Sequence, residues 1–390
     1  MSFGQSKKWA LSIGMIFALT GCGSIKPASR TDTVEIPQTP VKNQGRIGFC
    51  WAYGMTGFLE AIMLKKNGIS INLSEEAIGF YRMAEELFSL SQKYSAEELG
   101  DAEKVENLVF ESLEGWDITF NAKYNPGFRA RNAMELVRSF GVLPEEVFSY
   151  KFATDRQSDD FHAFVYSGFA ELMKKHGKKN VTQDMIYGLL GDAGAFGGIP
   201  SREFELWLPN GTKRKFAAAD FASDFIGFSP DDYTYLMPDG KIGYSQIVKA
   251  IKMTLARNID VPLSFTVYKG QPNRWDGSFS LRDTDPSKIE NAGGHVVLIT
   301  DFVNQGGKPG NVSPSAFKTE LEKSSEELDF LVIKNSWNTE IQSPLLRLPG
   351  YHTLDKSYMK QLVKGDVDIT IVVPRDIAFQ IRYEDSDNRP

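Results

Sequence analysis

Apolar residues recur at helical spacing in Trp51, Met55, Phe58, Leu59 and Ile62, and Asn67-Gly68 offers a left-handed stop, so a helix is predicted to open at Cys50 and close near 67. After the short run 69–73, Ser74 reads as an N-cap with Glu75 and Glu76 in the first turn of a second helix, ending near Gln92. Residues 95–121 read as helix plus loop, with Glu97, Glu98, Asp101 and Glu103 on a solvated face, and Asn125-Pro126-Gly127 reads as a turn. A helical pattern covers 130–140 and stops at Gly141. A charged helix near 160–176 follows, then a flexible loop holding Gly191, Gly194, Gly197 and Gly198. Those glycines lack the strand–loop–helix setting and the lysine of a phosphate loop. Alternation over 204–208 into Pro209-Asn210-Gly211 predicts a hairpin. From about 242 the texture changes: a helix over 245–256 gives way to strands over 261–267, 294–302, 330–334 and 367–373. A mainly helical first part and a mainly β last part make an α+β chain whose junction is a natural place for a cleft.

Composition adds a location. The chain has 390 residues and a net charge of −6, with charges of both signs interspersed. No basic stripe with interleaved aromatics appears, which argues against a nucleic-acid partner. Lys7-Lys8 precede an apolar run over 9–19, roughly half of the ~20 residues a membrane-spanning helix needs, which is the pattern of a secretory leader. Leu19-Thr20-Gly21-Cys22 resembles a bacterial lipobox. That resemblance implies a signal peptide over 1–21, a lipid on Cys22 and a membrane tether over 22–35. Gly23 stands where an inner-membrane retention signal has aspartate, which favours the outer membrane or the cell surface. With two cysteines in the chain and Cys22 carrying lipid, Cys50 is left as a lone thiol in an oxidising compartment, and a thiol kept there usually has a job.

The chemistry implied by Cys50 is nucleophilic. A helix N-terminus lowers a thiol pKa through unpaired N–H groups and the helix dipole, although a buried packing cysteine fits the same stretch. Gln44, six residues upstream on a glycine-punctuated loop, can join the Cys50 N–H in holding an oxyanion. A base is needed, and the chain has four histidines. His162 and His176 lie in charged helical stretches, and His352 follows Pro349-Gly350-Tyr351 near the C-terminus. His295 differs, since it opens an apolar strand directly after Gly293-Gly294. A further strand delivers Asn335, whose amide can orient the histidine without adding charge, and Trp337 can shield that bond from water.

Together these pieces resemble the papain-like cysteine peptidases: Gln44 and Cys50-Trp51-Ala52, then Leu73-Ser74-Glu75, Gly294-His295 and Asn335-Ser336-Trp337, in the family's order. A weaker likeness to the bleomycin hydrolase and aminopeptidase C branch rests on Gly141-Val142-Leu143-Pro144 and on Phe221, Phe225, Gly227 and Pro230-Asp231-Asp232-Tyr233. The resemblance implies a two-lobe fold: a helical lobe over 36–150, an insertion over 151–241, a β-barrel-like lobe over 242–374 and a tail over 375–390. It implies a Cys50–His295 thiolate–imidazolium pair oriented by Asn335, with Gln44 in the oxyanion hole. It further implies a peptide or protein substrate running past Gly48, Trp51, Gly127, Gly294 and Trp337. No cofactor and no metal site are indicated, and oligomeric state is left open. The sequence departs from the family at Ile47, Pro126 and Asn338, where the family has cysteine, glycine and glycine. Two other readings stay open: a catalytically silent peptide-binding lipoprotein on this fold, and a thioester acyl transferase.

Overall fold

The computed structural model describes residues 38–44, 49–100, 104–105, 130–149, 155–191, 196–208, 210–273, 276–282, 284–285, 289–305, 322–337, 346, 349–365 and 369–383. Cys22, Gly48 and Gly127, and the turn at 125–127, lie outside them. No helix among the described residues is long and apolar enough to cross a membrane.

The central helix α1 runs Cys50–Asn67 and stops at Gly68, whose φ of 65° places it in the left-handed region that a Cβ disfavours. Helix α2 runs Glu75–Lys93, and the Ser74 hydroxyl accepts from the Ala77 N–H at 3.0 Å as its N-cap. Helix Ala130–Phe140 packs on both of these, Gln183–Gly191 packs on α2, and Asp155–His176 packs on Gln183–Gly191. The hairpin β1 (Glu203–Trp207) with β2 (Lys213–Ala217) forms where the alternation predicted it.

Residues 151–241 do not stand apart as a unit. Phe204, Phe216 and Phe221 cluster at centroid distances of 5.0 to 5.8 Å, and Phe228 and Tyr233 both close edge-on against Phe58 of α1. These rings belong to the same core as Phe49, Cys50 and Trp51. Burying them against α1 gives the stretch its stability, and the sequence could not show which partner they would find.

The β lobe is one seven-stranded sheet in the order β3-β9-β4-β6-β7-β8-β5. Its strands are β3 (Tyr233–Leu236), β4 (Val261–Tyr268), β5 (Ser278–Phe279), β6 (Asn291–Asn304), β7 (Leu328–Lys334), β8 (Tyr351–Asp355) and β9 (Ile369–Pro374). All neighbours pair antiparallel except β5 with β8. β8 reads as polar (Tyr-His-Thr-Leu-Asp), yet every residue in it is buried, because β7 and β5 flank it. Two helices also went unread, Lys356–Lys364 and Arg375–Tyr383. The second lies in the stretch taken as a tail and packs on the helix Tyr244–Ala256.

The lobes meet where α1 lies on β6, and two glycines set that distance. A Cβ at Gly54 would sit 2.8 Å from Val296 Cγ1, and one at Gly57 would sit 3.1 Å from Leu298 Cδ1. Valine is little better than glycine as a helix former, so Gly54→Val isolates the packing effect. It is expected to lower stability by ~1–3 kcal/mol in urea unfolding, the usual cost of overpacking. A change below a few tenths of a kcal/mol would mean that this contact does not set the spacing. The lobes are also tied where the Ala130 N–H donates to the Ser264 hydroxyl of β4 at 3.0 Å.

Candidate active site

Cys50 is the first residue of α1, buried, and the one free cysteine among the described residues. No side chain caps this helix end, and the Ala52 and Tyr53 N–H groups donate to the Phe49 carbonyl at 2.8 and 3.0 Å. Backbone groups of Val296, Trp51 and Cys50 itself oppose the effect of burial on the thiol. Val296 is the residue after His295, so the α1–β6 contact brings the thiol to the strand that carries the imidazole.

His295 lies in β6, opposite Phe265 of β4, and is 3% exposed. Its Nε2 stands 2.8 Å from Asn335 Oδ1, just beyond the end of β7. The amide oxygen only accepts, so Nε2 carries the proton and Nδ1 keeps the lone pair of the neutral ring. Trp337 stacks on the imidazole at 3.8 Å with 28° between planes, and Phe265 meets it edge-on at 5.9 Å. Trp337 thus lies over the ring that bonds to Asn335.

Gln44 is anchored twice to the residue after Asn335. Its N–H donates to the Ser336 carbonyl at 2.8 Å, and the Ser336 hydroxyl donates to Gln44 Oε1 at 2.7 Å. With Oε1 engaged, Nε2 is the end of the amide left to donate to a substrate oxygen. Ser336 was not singled out from the sequence, although it lies inside the triplet that carries Asn335 and Trp337.

Segment 38–44 is itself held by a buried polar network. Glu60 of α1 accepts from the Thr39 hydroxyl at 2.7 Å and the Leu73 N–H at 2.8 Å, and pairs with Lys42 at 2.8 Å. Lys42 also donates to Glu75 at 2.5 Å and to the Leu73 carbonyl at 2.7 Å. Lys334 donates to the Thr39 carbonyl and hydroxyl at 2.8 and 3.0 Å. Burial opposes the charge on Lys42, but Glu60 and Glu75 outweigh it and hold the ammonium above its ordinary range. At Glu75 the balance reverses, with burial and the Glu60 charge raising its pKa against Lys42. Two carboxylates therefore share one close cation, and Glu75 is the one pushed toward its neutral form. Glu60 lies on α1 and is buried where segment 38–44 and Leu73 meet that helix.

Two expectations change. The helix N-terminus was expected to favour a resting thiolate, but burial raises the Cys50 thiol to about 11 against its backbone donors. Burial likewise lowers His295 to about 3, against its hydrogen bond to Asn335. The resting groups are a neutral thiol and a neutral imidazole, because taking either charge out of water costs more than local donors return. Trp51, expected along the substrate path, is buried and packs on Phe49 at 5.6 Å, so it supports the site from within. Gly294 is exposed and Trp337 half-buried, both open to a bound chain. Among the described residues no three His, Cys, Asp or Glu side chains gather as a metal site requires.

No protein-family model matches the chain. Over 38 residues, 10% of its length, it is 55% identical to procathepsin L of Mus musculus and 53% identical to cathepsin L2 of Homo sapiens, and the match spans 11% of each relative. Among solved structures, the fold is similar to PepW from Lactobacillus rhamnosis HN001, with a TM-score of 0.55 and 13% identity over 92% of this chain and 85% of that one. Xylellain, a cysteine protease from Xylella fastidiosa, overlaps 91% of this chain and 96% of its own at 15% identity, with a TM-score of 0.42. The architecture is thus α+β and papain-like.

Proposed function

We propose that this chain is a cysteine peptidase in which Cys50 attacks the peptide carbonyl and His295 carries the proton. One observation supports this reading above the others: the buried thiol opens a helix that packs on the strand bearing His295, whose tautomer Asn335 holds ready to accept a proton at Nδ1. A packing cysteine needs neither an oriented imidazole nor an anchored glutamine beside it.

The steps follow from the neutral resting pair. As Sγ bonds to the carbonyl carbon, its proton passes to His295 Nδ1 and the carbonyl electrons move to oxygen. The Cys50 N–H and Gln44 Nε2 receive that oxyanion. Collapse breaks the C–N bond, and the imidazolium protonates the departing amine. Water then attacks the thioester, giving one proton to Nδ1. The acid leaves, and sulfur takes that proton back. Neutral groups at rest place the charge separation in the transition state, where an oxyanion hole offsets it most effectively.

The test joins labelling to turnover. An epoxide inhibitor is expected to modify Cys50 at neutral pH, detected by peptide mass, and a mixed peptide library is expected to be cleaved by the untreated protein only. Iodoacetamide modification of Cys50 should keep accelerating as pH rises toward about 11. A plateau reached already at weakly acidic pH would instead mean a resting ion pair. Labelled Cys50 with an intact library would leave the silent peptide-binding reading in place.

A further inference from the structure

His352 lies in β8, at the register position opposite Ile333 of β7, and is 1% exposed. Its Nδ1 stands 2.8 Å from the Gly277 carbonyl, so Nδ1 carries a proton in either charge state. Its Nε2 is buried without a hydrogen-bond partner among the described residues. The ring meets Phe279 edge-on at 5.9 Å, Phe279 lies 6.2 Å from Trp337, and Trp337 stacks on His295 at 3.8 Å. A continuous set of rings with little water thus separates two buried histidines, and in such surroundings a charge on one is felt at the other.

We propose that His352 is a positioning residue of the thiol site that competes with His295 for a single proton, so that the acid limit of the chemistry belongs to the pair. This rests on the peptidase reading for its consequence, though not for its detection.

The charged groups on the packed elements are engaged elsewhere. Asp276, before β5, accepts from the Ser278 N–H and hydroxyl at 2.9 and 2.6 Å. Asp355, later in β8, pairs with Arg282 and caps the Ser357 N–H at 2.7 Å. Arg282 also meets Asp329 of β7 at 2.7 Å. Lys334 of β7, opposite Tyr351, is turned to Thr39. His295 on β6 is the titratable group in electrostatic contact, and a charge on His352 lowers its pKa. Burial also lowers the pKa of His352, and the Gly277 carbonyl opposes this. As pH falls, a proton on His352 opposes a second one on His295. The imidazolium that must form on His295 during attack by sulfur then forms beside an existing cation, and the rate drops before His295 itself titrates.

Histidine-selective NMR tests this directly, since the chain has four histidines to assign. His352→Asn keeps a donor for Gly277 and removes the charge. It is expected to raise the His295 titration midpoint by about 1 pH unit, the scale of coupled buried pairs. Linkage requires the reverse as well: His295→Gln must raise the His352 midpoint by the same amount. A merely structural role for His352 would not produce that symmetry. In turnover, the wild-type acid limb should fall in two steps and the His352→Asn limb in one. Unchanged midpoints in both variants would overturn the proposal even in an active peptidase. Should His352→Asn fail to fold, the His295→Gln titration decides alone. Reciprocal shifts in a protein that cleaves nothing would instead sink the peptidase reading and leave the coupling standing.

Discussion

His295→Ala is expected to lower kcat for peptide hydrolysis by about 10²–10⁴-fold with little change in KM. The residue is the only described histidine on the strand against which α1 packs, and with Asn335 on Nε2 its Nδ1 has one task. Because the resting thiol is raised to about 11, the wild type gains little from spontaneous thiolate at neutral pH and needs the base at every turnover. Removing the imidazole also takes away the face on which Trp337 stacks, so folding must be checked by urea unfolding in parallel. A folded variant with near-wild-type kcat would show that another group takes the proton. A rise in KM alone would mean that His295 serves binding.

The second large effect is on stability. Glu60→Ala is expected to cost ~3–5 kcal/mol in urea unfolding, the range found when one partner of a buried charge network is removed. The loss leaves the Leu73 N–H and the Thr39 hydroxyl without their acceptor and frees segment 38–44 from α1. Gln44 sits at the end of that segment, so kcat should fall with stability. Glu60→Gln should be much milder. Its amide oxygen still accepts from Leu73, and Glu75, relieved of a neighbouring anion, is free to ionise against Lys42. Equal losses in the two variants would mean that volume matters at position 60 and hydrogen bonding does not.

Much of the site was legible because its parts are local. A helix start at Cys50 follows from apolar spacing, its end from Gly68, and the α2 cap from Ser74. The two strands that bring His295 and Asn335 were apparent as apolar runs, since interior strands of a sheet bury both faces. What was not legible depended on partners far away in the chain. His352 looked like a residue near a terminus, and it lies buried because β7 and β5 flank its strand. Ser336 entered only as the middle of the Asn335-Ser336-Trp337 motif, and it holds Gln44 from 292 residues away in the chain. Trp51 looked available to substrate, and core packing removes it.

Local sequence was enough to put Cys50, His295 and Asn335 on the kinds of element where they sit, because helix caps, apolar periods and short motifs act within a few residues. Only the tertiary structure decided their ionisation and the company they keep. Both are set by how much water the fold removes around Cys50, His295, Glu75 and His352, and that depends on segments that meet only after the chain has folded.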